Sequence, residues 1–237
     1  MILTLSQKIE LQQKVKNLLA QDNSGHGWAH VERVCLNALR LCEKENGDKD
    51  IVLLAALLHD CDDYKLFGKE AAENLTNTKK IMQECSLDLT LQNAILEIVR
   101  NLGYSKYLSG TQKLNKNGKI VQDADMLDAL GAIGIIRTLV FNATKGSGTV
   151  FQPDIFPREK LTCSAYQDKS AHQETAINHL FEKILKLKNI MYTKSGYDEA
   201  CLRFETVVAF LRAFFREQGL QNWLDYLDAY LEALSSK

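Results

Sequence analysis

Three of the five histidines of this 237-residue chain fall before residue 60: His26 and His30 in GHGWAHVERV, and His59 in LLHDCDDYK. His59 and Asp60 together end the most apolar segment of the chain, IVLLAALLHD. An unpaired charge at that position is costly, and a bound metal ion would offset the cost. Adjacent residues on a helix point about 100° apart, so both can serve one ion only if other helices complete its shell. His30, near the start of an amphipathic segment, and Asp125, in VQDADMLDALGAIGI, are the candidates. Two imidazoles and two carboxylates suit Mn, Fe, Co or Ni, and also Mg, better than Ca. Such a site leaves room for water, which it would activate near neutral pH, and for a substrate oxygen. The same spacing also fits a plain helix-end His–Asp pair, with His30 capping its own helix.

Asp63 and Lys65 follow the pair by about one helical turn, and Arg33 lies three residues after His30. Asp63 is placed to orient or deprotonate a water, and Lys65 and Arg33 to neutralise phosphate oxygens. Phosphoryl transfer needs this combination of cation, nucleophile and donors. Each side chain also fits an ordinary solvated or ion-paired role. In TAINHLFEKILKLKNIMYTKSG, Lys183, Lys186 and Lys188 punctuate an apolar stripe, and His179 adds a polar group. Most such lysines solvate a helix face, but Lys183 and Lys186 would meet distal phosphates if this helix covers the cleft. The substrate-contact candidates are therefore His26, Arg33, Lys183 and Lys186, and Cys61 reads as a small buried residue.

The elements that must position these groups read as helices. Apolar residues recur at i, i+3, i+4 and i+7 through most of the chain, as in Val31, Val34, Cys35, Ala38, Leu41 and Cys42. IVLLAALLHD has no polar face, and its Leu and Ala content with a DKD start predicts a central helix packed on all sides. Glycines fall between the periodic segments, where helix ends need them. The expectation is an all-α bundle of about eight to ten helices in a single domain, with a core over about residues 20–215. Residues 144–170 hold both prolines and form the one long irregular stretch. The amphipathic helices after it should pack back on the first half.

Composition narrows the partners. With 29 basic and 30 acidic residues the net charge is −1, which gives no global field for polymeric nucleic acid or an acidic membrane. The six cysteines lie far apart with no C-x-x-C pair, which fits reduced thiols in the cytoplasm better than a zinc ribbon or a disulfide framework. The N-terminus lacks a signal-peptide pattern, and the longest apolar run, eight residues, cannot span a bilayer.

H-x-x-R-V at His30, HDCDDYK at His59–Lys65 and QDADMLDALGAIGIIR at Gln122–Arg137 together resemble the HD-domain phosphohydrolase superfamily. TAINHLFEKILKLKNIMYT resembles the C-terminal motif of its compact single-domain bacterial branch. The resemblance implies metal ligation by His30, His59, Asp60 and Asp125, with Asp63 and Lys65 in the polar positions after the HD pair. It also implies hydrolysis of phosphate esters or anhydrides, with a nucleotide as the leading substrate and pyrophosphate release from a triphosphate as one form. Three positions depart from the branch pattern: Gly27 replaces the Asp of H-D-x-x-H, Met126 the Arg of D-A-D-R-L-D, and Ser105 the Lys of an I-S-F-K-like segment. These departures keep open a degenerate protein that binds a nucleotide or partner without hydrolysis. A dinuclear centre would need His26, His172 or His179 as further ligands, and a homodimer is left open.

Overall fold

The computed structural model describes residues 3–22, 24–158, 162 and 175–235. Among them every regular element is a helix. The first half comprises α1 (Leu5–Leu18), α2 (Trp28–Glu45), α3 (Lys49–Leu58), α4 (Tyr64–Asn74), α5 (Thr76–Glu84), α6 (Leu89–Asn101) and α7 (Tyr104–Leu108). The rest comprises α8 (Lys116–Asp128), α9 (Gly131–Lys145), α10 (Ala176–Glu182), a 3-10 helix (Ile184–Ile190), α11 (Lys194–Glu217) and α12 (Gln221–Ser235). The expected count of eight to ten rises to twelve α-helices among the described residues because the chain after the HD pair and after Gly103 folds into short helices that lack an extended apolar stripe.

The apolar run is the central helix α3. Asp48 starts it, its side chain accepting the N–H groups of Asp50 and Ile51 at 3.0 and 3.1 Å, as an N-cap should. One side of α3, with Val52, Ala55 and Ala56, packs into a cluster shared with α2, α8, α11 and α12. The other side, with Leu54, Leu57 and Leu58, packs into a second cluster with α1, α5 and α6. Burial on both sides explains why the run has no polar face, and it fixes the height at which His59 and Asp60 emerge. Each fully buried leucine there contributes about 1.5–3 kcal/mol, so the end of α3 is held firmly.

The C-terminal helices pack back as expected, α11 lying against α2, α8 and α9. Part of the irregular stretch is ordered by specific contacts. The carbonyls of Thr149 and Val150 accept the N–H groups of Ala176 and Ile177 at the head of α10. Trp223 Nε1 donates to the carbonyl of Pro153 at 3.0 Å, and Phe156 stacks on the Trp223 indole. Arg158 closes the segment with charged bonds to the buried Glu182. Residues 159–161 and 163–174, including Cys163 and His172, lie outside the described residues. Among the described cysteines all are free thiols, and among the described helices none is long and apolar enough to cross a membrane.

Candidate metal centre

Three helices bring the four expected ligands to one place. His30 sits one turn into α2, His59 caps the C-terminus of α3, Asp60 follows it, and Asp125 lies on α8. His30 Nε2 is 3.2 Å from His59 Nε2, 3.3 Å from Asp60 Oδ2 and 3.5 Å from Asp125 Oδ1. His59 Nε2 is 3.4 Å from Asp60 Oδ1 and 3.8 Å from Asp125 Oδ1. Donor atoms of His30, His59 and Asp60 all lie within 4.8 Å of one another.

The outer nitrogens of both rings are committed. His59 Nδ1 is 2.7 Å from the Ala56 carbonyl, which only accepts, so the proton is on Nδ1. His30 Nδ1 is 2.7 Å from Asp128 Oδ2, which assigns its proton in the same way. In the neutral rings both Nε2 lone pairs therefore face each other and the carboxylates, the arrangement of imidazole ligands oriented by acceptors behind them. Asp60 Oδ2 is buried with no hydrogen-bond partner among the described residues. Two lone pairs and an orphaned carboxylate oxygen converging on one point are the donor set a divalent cation requires, so the residues fit the implied metal.

Electrostatics follow the same geometry. Burial and the Arg137 charge press the His30 pKa down, but the hydrogen bond to Asp128 and the nearby Asp60 carboxylate outweigh them and lift it above its ordinary value. Burial pushes Asp60 up, and the imidazoles of His59 and His30 more than reverse this, holding it well below the carboxylate range. Without a cation, the cluster thus draws in a proton. Asp63, half-buried beside the Asp60 charge, has its pKa raised by desolvation and by that charge. Its Oδ1 accepts the Lys65 N–H at 2.8 Å and caps α4, which leaves Oδ2 outside the cap.

The remaining candidates are placed as follows. Lys65 Nζ lies 5.5 Å from the centre of the Phe141 ring and 5.7 Å from that of Tyr64. His26 packs edge-on to both Phe141 and His30, and burial together with the Lys65 charge pushes its pKa down to about 2. His26, Phe141 and Lys65 therefore form one wall beside the cluster. Arg33, expected to meet phosphate, instead donates Nε and Nη2 to Asp128 at 2.7 and 3.0 Å. Lys183 lies 5.0 Å from the Tyr104 ring centre at the start of α7. The preceding Gly103 donates its N–H to Gln122, three residues before Asp125 on α8, so this lysine reaches an element tied to the ligand-bearing helix. Lys186 is half-buried on the 3-10 helix, and Lys188 packs on Phe204.

Three residues that position the site escape a reading by motif. Asp128, one turn beyond Asp125, collects His30, Arg33 and Arg137; its i, i+3 spacing from Asp125 was the available signal. Phe141 is one turn beyond Arg137 on α9. Asp62 is buried and its carboxylate accepts the N–H groups of Asn77 and Thr78 at 2.8 and 2.9 Å, tying the HD turn to α5. The departures also find local reasons. A Cβ at Gly27 would stand 3.2 Å from the Asp22 carbonyl oxygen, and Asp22 organises this turn by accepting from the N–H groups of Ser24 and His26. Met126 is 4% exposed in the larger core.

The HD domain family model matches residues 27–130, the span from the head of α2 to the end of the α8 turn. The chain is 32% identical over 211 residues to YpgQ of Bacillus subtilis, covering 88% of this chain and 92% of that protein. A crystal structure from Lactobacillus plantarum superposes with a TM-score of 0.79 at 35% identity, covering 92% of this chain and 99% of that one. YpgQ in complex with ADP superposes at 0.66 and 28% identity, over 90% and 95% of the two chains. A Bacillus thuringiensis HD-superfamily hydrolase does so at 0.65 and 30%, over 90% and 98%.

Proposed function

This chain belongs to the HD-domain superfamily, and from that premise we propose that it is a divalent-metal-dependent phosphohydrolase acting on a nucleotide or a related phosphate ester or anhydride. The observation that carries the reading is the convergence of the His30 and His59 Nε2 lone pairs with the unpartnered Asp60 oxygen. His30, His59, Asp60 and Asp125 would hold the ion, which when bound supplies Lewis acidity toward water and a phosphoryl oxygen. Mn, Fe, Co, Ni and Mg remain the candidates by donor type.

The protein's own groups divide the rest of the work. Asp63 Oδ2, with its raised pKa, accepts and holds a proton from the attacking water. Lys65, propped against Phe141, presents its ammonium to phosphate oxygens. His26 stays neutral and, with Phe141, offers an apolar wall against which a substrate ring can lie. Arg33 acts one step back, holding Asp128 and through it His30. Lys183 and Lys186 are placed in this reading on the side where distal phosphates leave. A nucleotide is favoured because YpgQ binds ADP in its crystal structure and because cation, ammonium and ring wall match such a ligand.

The test is a panel of nucleoside mono-, di- and triphosphates assayed with each metal. Turnover that depends on added metal and vanishes in Asp60→Ala supports the reading. Full metal loading without turnover of any member sinks it, and nucleotide-dependent thermal stabilisation without product would then favour the non-hydrolysing binder.

A further inference from the structure

Asp128 also lines a groove of about 400 Å³. Its walls come from α2, the head of α9 and α11, and none of His30, His59, Asp60 or Asp125 lines it. Three arginines line it: Arg33, Arg40 and Arg203. Each nitrogen of Arg203 already makes a hydrogen bond, to Glu199, the Leu127 carbonyl and Asn37. Arg33 uses Nε and Nη2 on Asp128 and keeps Nη1 for another acceptor. Arg40 is exposed and has no partner among the described residues. The carboxylate in the wall, Asp128, is buried and already shared with Arg137, which does not line the groove. The groove therefore carries uncompensated positive charge.

Its rim is apolar. Leu36, Ile133 and Leu202 line it and are 52%, 39% and 70% exposed, an unusual concentration of large aliphatic surface next to arginines. The shape depends on Gly131, which has φ +78° and lets the Arg203 stem cross at a distance where a Cβ would be 3.1 Å away. The first turn of α9 opens into the same groove, without a side-chain cap or an acidic residue, and adds to the positive potential.

We propose that this groove binds a nucleotide-sized organic phosphate. The phosphate meets Arg40 and the Nη1 of Arg33, and the apolar body covers Leu36, Ile133 and Leu202. The volume suits such a ligand, and arginine pairs phosphate in fork geometry while its plane stacks on rings. Arg33 belongs both to the groove and to the Asp128 pair, so an anion bound here sits one residue from the support of His30. The site stands on its own residues, whether or not the cluster turns over a substrate.

The experiment is calorimetric titration of ADP, and separately inorganic pyrophosphate, into the full chain in EDTA. Wild type is compared with Arg40→Glu, Leu202→Asp and the cluster variant Asp125→Asn, with circular dichroism verifying the fold of each. ADP should bind wild type and Asp125→Asn alike, bind Arg40→Glu at least about tenfold more weakly, and outbind pyrophosphate. Leu202→Asp should also weaken ADP. The proposal is overturned by absence of ADP binding in the millimolar range, by equal affinity in Arg40→Glu, or by loss in Asp125→Asn with retention in Arg40→Glu, which would place the ligand at the cluster. Pyrophosphate matching ADP would equally overturn it, by removing any role for the apolar rim. So would a wild-type dimer that Arg40→Glu dissociates without any ADP binding, which would assign the face to a second copy.

Discussion

Replacing Asp128 by Asn tests whether the carboxylate behind His30 is the anchor of the centre. The side chain is 1% exposed and accepts from His30 Nδ1 at 2.7 Å, Arg33 Nε at 2.7 Å and Arg137 Nη1 at 3.1 Å. Asn keeps the volume, but one of its two polar atoms becomes a donor, so an N–H must face another N–H. At least one charged hydrogen bond is lost, at about 1.5–3 kcal/mol each, and two guanidiniums lose their counter-charge. Breaking a fully buried pair costs about 3–5 kcal/mol, but the Arg33 side chain is 34% exposed and water screens it. The sum is about 3 kcal/mol, which for a chain of this length lowers Tm by about 6–12 °C. Because Asp128 also fixes the His30 tautomer, Mn²⁺ affinity should fall by about 10–100-fold. Thermal melts in EDTA and calorimetric Mn²⁺ titration at pH 7 measure the two effects separately. A melt within about 2 °C of wild type removes Asp128 as an anchor. A large melt shift with unchanged Mn²⁺ affinity reduces it to an ion pair with no hold on the metal site.

His26, with its pKa pushed down to about 2, binds a proton in the unfolded chain near 6.5 but not in the fold. Its contribution is thus present above pH 6.5 and is lost as pH falls toward 2. His26→Leu in EDTA should flatten the pH dependence of stability between pH 6 and 4 by about 1 kcal/mol per pH unit, and parallel curves would refute the shift. Asp62→Ala removes the acceptor of two N–H groups at the head of α5 and should cost about 2 kcal/mol; hydrogen exchange should accelerate in α4 and α5, and unaltered protection there would count against the tie. Gly131→Ala forces a Cβ to within 3.1 Å of Arg203 Cβ at φ +78° and should cost about 1–3 kcal/mol with Mn²⁺ affinity unchanged, both read by the melt and titration above.

The helical class, the central helix and the convergence of His30, His59, Asp60 and Asp125 were legible because each rests on local pattern: a stripe, an uninterrupted apolar run, or polar groups where an apolar helix ends. Less legible were contacts set by the direction in which a side chain leaves its helix. Arg33 follows His30 by three residues and was read toward phosphate. The crossing of α2 and α8 turns its Nε and Nη2 onto Asp128, nearly a hundred positions away, a pairing that local spacing does not show. The lysine-bearing segment read as one helix, but it breaks at Lys183 into α10 and a 3-10 turn, so Lys183 and Lys186 do not share a simple face. Trp223 and Phe156 give the irregular stretch its order through an aromatic stack that no local periodicity encodes.

The four residues DCDD show how one short turn divides several tasks, and why substitutions within it should not be equivalent. Asp60 is half-buried, with a buried oxygen that nothing among the described residues satisfies. Asp62, two positions on, is buried and satisfied by two backbone donors, so it carries stability and no vacancy for a ligand. Asp63 spends one oxygen on its own helix and keeps the other, in surroundings that raise its pKa. The role open to each carboxylate therefore follows from how many donors the fold supplies to it: two backbone donors make Asp62 a brace, while the free oxygens of Asp63 and Asp60 are what the proposed acid–base and ligand roles require. The same count separates Asp125 from Asp128 on α8. Two arginines and an imidazole saturate Asp128, whereas Asp125 meets only the inward nitrogens of His30 and His59. Within this cluster, the aspartate that the protein itself leaves poorest in donors is the one best able to bind a cation.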